Sequence, residues 1–132
     1  MVIIGTPSKR LVFESDGNPD YLRAALVAPG LRAQIEVYVY YAVKELGDLT
    51  AFFDSMEAAW RGWAGDKTWA SLEGELSLSA RHVGSAIAIV VDMRSTFDSA
   101  GGDWSVRAEL RVDAGAQLSA IARDLRVLVV AP

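Results

Sequence analysis

Cysteine is absent from these 132 residues, histidine occurs once and proline four times. Without cysteine, disulfides, thiolate catalysis and cysteine-ligated zinc are all excluded, and the chain suits a reducing compartment. A single histidine leaves no second imidazole for a shared metal. No apolar run approaches a membrane-spanning length, and the opening Met1-Val2-Ile3-Ile4-Gly5-Thr6-Pro7 is too short for a secretory leader. The chain therefore reads as cytoplasmic, with no membrane partner. Positive charge is also in deficit: 13 Lys and Arg against 17 Asp and Glu give a net charge of −4, which argues against a nucleic-acid partner.

What is present is an ordinary globular composition, 52% hydrophobic and 23% charged, unlike that of a disordered chain. The length fits one domain, residues 1–132, able to bury a core without disulfides or metal. No internal repeat, low-complexity tract or linker divides it.

Short strands open the chain. Leu11 to Ser15 is closed by the turn-forming Asp16-Gly17-Asn18-Pro19-Asp20, and Tyr21 to Ala28 by Pro29-Gly30. From Leu31 to Tyr41 the alternation is clean: Leu31, Ala33, Ile35, Val37, Val39 and Tyr41 face one way, and Arg32, Gln34, Glu36, Tyr38 and Tyr40 the other. The period then lengthens. Leu49, Phe52, Phe53, Met56, Ala59, Trp60 and Trp63 form a helical stripe, with Asp48 as N-cap and Gly62 and Gly65 marking the end. Leu72 to Arg81, Ala86 to Arg94 and Trp104 to Val112 follow as strands. Asp113 caps a last helix carrying Leu118, Ile121, Ala122, Leu125, Leu128 and Val129.

The order ββββαβββα, with short connections, predicts an α+β protein: a mainly antiparallel sheet with two helices on one face. Ile35, Val37, Val39, Leu76, Leu78, Val106, Ala108 and Leu110 belong under the helices, and the opposite sheet face is left open.

Few residues offer chemistry. His82 sits where a strand meets a turn, and a solvated turn histidine outweighs a catalytic one when no serine elbow, cysteine or second histidine accompanies it. Glu73 and Glu75 share a strand face about 7 Å apart. Arg81, Arg107 and Arg111 are expected on that same face, so cross-strand ion pairs explain the carboxylates better than paired-acid catalysis. Trp60, Trp63 and Trp104 read as packing anchors. Trp69, in a glycine-flanked loop, either closes the core or meets a ligand. Gly62, Gly65 and Gly74 do not follow a strand into a helix, so they form no phosphate loop, and no cofactor motif appears.

Trp60-Arg61-Gly62-Trp63-Ala64-Gly65-Asp66-Lys67-Thr68-Trp69-Ala70-Ser71-Leu72-Glu73-Gly74-Glu75-Leu76 resembles the signature of a family of small actinobacterial proteins of unknown function. A strand ending in aromatics, the Asp103-Trp104 strand start and Ala114-Gly115-Ala116-Gln117-Leu118 before the last helix extend the resemblance over roughly residues 30 to 128. In that family the turn reads glycine then histidine, whereas here His82 precedes Gly84. The element order is also similar to that of immunity proteins that protect bacteria from wall-associated toxins.

Two functions follow as expectations. The first is a non-enzymatic protein-binding domain, in its specific form an immunity-type protein that blocks a toxin with an acidic, aromatic-bearing surface. Its candidate binding residues are Tyr38, Tyr40, Arg107, Glu109 and Arg111 on the open face, and Trp69 in its separate glycine-flanked loop. The same face could instead join two copies of the chain. The alternative is a small-ligand binder or enzyme with a pocket near the Trp63 to Trp69 loop, to which Glu73 or His82 contributes polar contacts.

Overall fold

The structure is a computed structural model that describes residues 1–15, 17–18, 20–39, 42–95 and 103–130. Among these, the chain forms a four-stranded meander of β1 (Val2–Gly5), β2 (Arg10–Glu14), β3 (Tyr21–Ala28) and β4 (Leu31–Tyr38), followed by helix α1 (Ala42–Ala58). A second meander of β5 (Asp66–Ala70), β6 (Leu76–Val83), β7 (Ala86–Arg94) and β8 (Ser105–Asp113) leads into α2 (Ala116–Val130). Every neighbouring pair within each sheet is antiparallel.

The α+β class and the expected order of strands and helices hold, with two differences. One strand, β5, stands where a loop was expected. Its alternation turns Lys67 and Trp69 inward and leaves Asp66, Thr68 and Ala70 exposed, so a lysine at an inward position hid the period of two. The strands also divide into two sheets. β1 and β8, the facing edges, approach one another without hydrogen bonding.

The turns show why the meanders close. Ala28 pairs with Leu31 across Pro29-Gly30, where proline presets the first central residue and Gly30 takes φ +74°. Val83 pairs with Ala86 across Gly84-Ser85, and Gly84 at φ +63° supplies the positive φ of a primed hairpin turn.

One core takes the inner faces of both sheets and the stripes of both helices. It includes Leu22, Ala24 and Leu26 of β3, Leu78 and Ala80 of β6, Ile87, Ile89 and Val91 of β7, Phe53 and Met56 of α1, and Leu118 and Leu125 of α2. Burying each large side chain contributes about 1.5–3 kcal/mol. All eight residues predicted to lie under the helices are in this core or packed against it. α2 rests on β1 and β8, while α1 packs against α2 and β5. Gln117 Nε2 donates to Gly5 O (2.6 Å), tying the start of α2 to the end of β1.

Helix α1 ends earlier than its apolar stripe suggests. Trp60 N–H bonds Glu57 O and Gly62 N–H bonds Ala59 O, tightening the exit before Gly62 turns away at φ +143°. Trp63 therefore packs on the core from a loop, while Trp60 is half exposed.

Candidate functional site

Register assigns each outward side chain to a row. On the second sheet, β8 turns Ala108, Leu110 and Val112 inward, so Arg107, Glu109 and Arg111 project from the uncovered face. The rows that cross this face are Asp66-Arg81-Ala88-Arg111, Thr68-Ser79-Val90-Glu109 and Ala70-Ser77-Asp92-Arg107. Small side chains make the floor, and Ala88 is buried between the arginines of its row. Arg111 Nη2 lies 3.4 Å from Glu109 Oε2, both exposed. Arg81 and Arg107 stand directly opposite Asp66 and Asp92, yet among the described residues neither arginine closes an ion pair or hydrogen bond.

Arg94 borders the same face. Its Nε–H donates to Gly74 O (3.0 Å), and Gly74 has φ +74°. The positive φ favours glycine here, and a Cβ would meet only the movable end of Arg94, at 3.0 Å. Arg94 and Ser105 line two hollows, one of about 410 Å³ with Ala70, Ser77 and Asp92, the other of about 350 Å³ with Asp103 and Trp104.

The remaining candidates are dispersed. Tyr38 lies on the outer face of the first sheet, its ring 5.4 Å from that of Tyr21, its cross-strand partner. It is not beside Arg107 and Arg111 as expected, because β4 and β8 belong to different sheets. Tyr40 lies outside the described residues. Trp69 packs against the core from β5, with its indole Nε1 buried.

Glu73 and Glu75 do not share a strand face. Both lie in the β5–β6 connection, Glu73 exposed and Glu75 buried. Ser71 Oγ donates to Glu75 Oε1 and accepts the Leu76 N–H (3.1 Å), which closes the loop around the carboxylate. Glu75 Oε2, Trp63 Nε1 and Trp69 Nε1 are buried without a partner among the described residues. His82 is likewise not a solvated turn residue. It continues the inward side of β6 after Leu76, Leu78 and Ala80, and its Nε2–H donates to Trp60 O (2.8 Å). The ring packs edge-on to Trp63 at 5.3 Å. The imidazole thereby pins the loop that leaves α1. Beside it, a hollow of about 360 Å³ is lined by Trp60, Arg61, His82, Ser85 and Asp113.

Residues 7–132 match a family of unknown function (DUF6228). The chain belongs to this family. The match includes most of the first meander, which the tryptophan-rich motif did not anchor. No curated protein and no solved structure matches the chain. Among the described residues, no three acidic or histidine side chains converge as metal ligands, and no helix is long and apolar enough to cross a membrane.

Arg94 and Tyr21 are not among the candidates drawn from the sequence, and Trp104, which reads there as a packing anchor, is partly exposed. Period-two counting along Ala86 to Arg94 and Tyr21 to Ala28 places Arg94 and Tyr21 outward, so the signal was available. Trp104 matches the inward side of β8 in register but stands 38% exposed at the strand's open end.

Proposed function

We propose that this member of the family is a non-enzymatic protein-binding domain that engages a partner's acidic surface through the outer face of the second sheet. The observation that supports this is the pair of guanidinium groups of Arg81 and Arg107, which close no ion pair or hydrogen bond among the described residues although Asp66 and Asp92 stand opposite them, over a floor of small residues. Arginine suits such a role because its planar fork binds carboxylates bidentately and it recurs at interface hot spots. Glu109, Arg111 and Arg94 extend the surface. In its specific form the partner is a toxin, neutralised by capture in the cytoplasm. The cysteine-free composition suits that compartment.

The test compares immobilised wild type with an Arg81→Glu/Arg107→Glu variant of equal thermal stability, using extract of the native host at low and high salt. A protein retained by wild type, lost by the variant and released by salt supports the reading. Equal retention by both, or retention by neither, counts against it.

A second reading rests on the hollow beside His82, whose half-exposed Trp60 and charged Arg61 and Asp113 suit a small polar ligand with an aromatic or ring face. A ligand held there raises the Tm of wild type but not of Trp60→Ala, because stabilisation follows occupancy. A shift of equal size in both proteins sinks this reading.

A further inference from the structure

On the first sheet, Val12 and Ala25 are buried yet stand outside the core cluster. The inward side chains of β2 and β3 are Leu11, Phe13, Leu22, Ala24 and Leu26, so Val12 and Ala25 point to the opposite, outer face. Beyond the Tyr21-Tyr38 row, register organises that face into three successive rows. Glu14-Arg23-Glu36 is acidic in balance, Ile3-Val12-Ala25-Gln34 is apolar over three strands, and Arg10-Val27-Arg32 is basic. Ile3 is 46% exposed at the end of the apolar row. The Arg23 Nε to Glu36 Oε1 contact of 3.2 Å orders the acidic row.

We infer that the protein pairs with a second copy of itself through this face, about a two-fold axis running along the apolar row. A two-fold relating two apposed faces lies in the plane between them. Placed along Ile3-Val12-Ala25-Gln34, it sets exposed Ile3 on its own counterpart, keeps the buried Val12 and Ala25 beneath the seam, and lays each basic row on the other copy's acidic row. Because the rotation preserves the strand column, Arg10 meets the partner's Glu14 and Arg32 meets the partner's Glu36. Arg23 extends over the partner's Val27. An axis parallel to the strands instead sets Ile3 on the partner's Gln34 and Arg10 on the partner's Val27, leaving the basic row without acids. The face is thus self-complementary in one orientation.

Strands about 4.8 Å apart and rows about 7 Å apart make this patch roughly 400 Å² per copy. Such an interface belongs among weak, concentration-dependent associations. It lies on a different sheet from the arginine face of the proposed partner site, so the dimer presents that face twice.

Charge swapping tests both the association and its axis. Sedimentation velocity of wild type from about 10 μM to about 1 mM should show a monomer–dimer equilibrium. Arg10→Glu/Arg32→Glu makes both flanking rows acidic, and Glu14→Arg/Glu36→Arg makes both basic, so each variant alone dimerises at least about tenfold more weakly. Mixed one to one, the two variants restore every cross-copy pair, and dimer returns. Ile3→Asp, which places charge at the apolar row, is expected to abolish association while leaving the far-UV circular dichroism unchanged. A wild type that stays monomeric overturns the inference. So does dimerisation of either charge variant at wild-type strength, or a mixture that fails to recover. Arg81→Glu/Arg107→Glu should leave self-association intact; its loss in that variant would place the interface on the second sheet and overturn the first.

Discussion

Ser71 and Glu75 show how a loop in the signature segment is held. The Ser71 hydroxyl bridges the buried Glu75 carboxylate and the Leu76 N–H, so Ser71→Ala removes the partner of two buried polar groups beside the already unpartnered Glu75 Oε2. A loss of about 1–3 kcal/mol is expected. Urea unfolding at unchanged m value measures it, with exposed Glu73→Ala, expected to stay within about 0.5 kcal/mol, as control. Equal midpoints for the two variants would show that the buried cluster carries no stability. His82 makes the same point for the neighbouring loop. Its bond to Trp60 O fixes the proton on Nε2, since a carbonyl only accepts. His82→Ala should cost about 1–2 kcal/mol, and His82→Gln, whose amide N–H reaches a similar position, should recover part of that loss. Neither role was legible in the sequence. A Ser-x-x-x-Glu spacing and a histidine before Gly-Ser do not announce burial, and Glu75 looked outward only while residues 72–75 were read as strand rather than loop.

At the scale of elements, alternation made β4 and β8 legible, and the helical stripes placed Phe53, Met56, Leu118 and Leu125 correctly in the core. What failed was the reading of β5, of the division into two sheets, and of element ends. The stripe of α1 continues in register to Trp60 and Trp63, but the chain leaves the helix at Ala58, because periodicity carries no information on where backbone bonds stop. The two helices should differ sharply in how they respond to mutation. Arg126 Nη1 of α2 lies 2.7 Å from Asp54 Oδ1 of α1, yet all these groups are substantially exposed. Arg126→Ala should therefore cost less than about 1 kcal/mol, and less still in high salt. Phe53→Ala, from a fully buried site, should cost about 3–5 kcal/mol. The β1–β2 connection is the most sharply constrained backbone. Gly5 has φ +122°, and a Cβ there would lie 2.4 Å from Lys9 O. Because the obstacle is main chain, Gly5→Ala should destabilise by more than the roughly 1 kcal/mol typical of a strained glycine site. Thermal unfolding of Gly5→Ala against Gly30→Ala separates the two, since nothing lies within 4 Å of a Cβ at Gly30 despite its φ of +74°.

The whole molecule repeats one unit, four antiparallel strands and then a helix, without any repeat in its sequence. Such a layout could fold as two bodies. The core argues for one, because Val2, Phe13 and Leu26 of the first unit share a cluster with Ile89, Leu110 and Leu125 of the second, and α1 packs on both α2 and β5. Each sheet alone would leave an apolar face in water, at a cost of about 25 cal/mol per Å². The distribution of aromatics provides a direct test of one domain over residues 1–132. All four tyrosines, Tyr21, Tyr38, Tyr40 and Tyr41, belong to the first unit or its exit, whereas Trp60, Trp63, Trp69 and Trp104 all follow α1. Second-derivative absorbance resolves the two ring types, so tyrosine and tryptophan signals report on different units of one chain. Cooperative unfolding requires both to change at the same denaturant concentration, together with the far-UV circular dichroism. If instead the tyrosine transition precedes or trails the tryptophan transition, the first meander melts on its own, and the single core is only a contact between two independent domains.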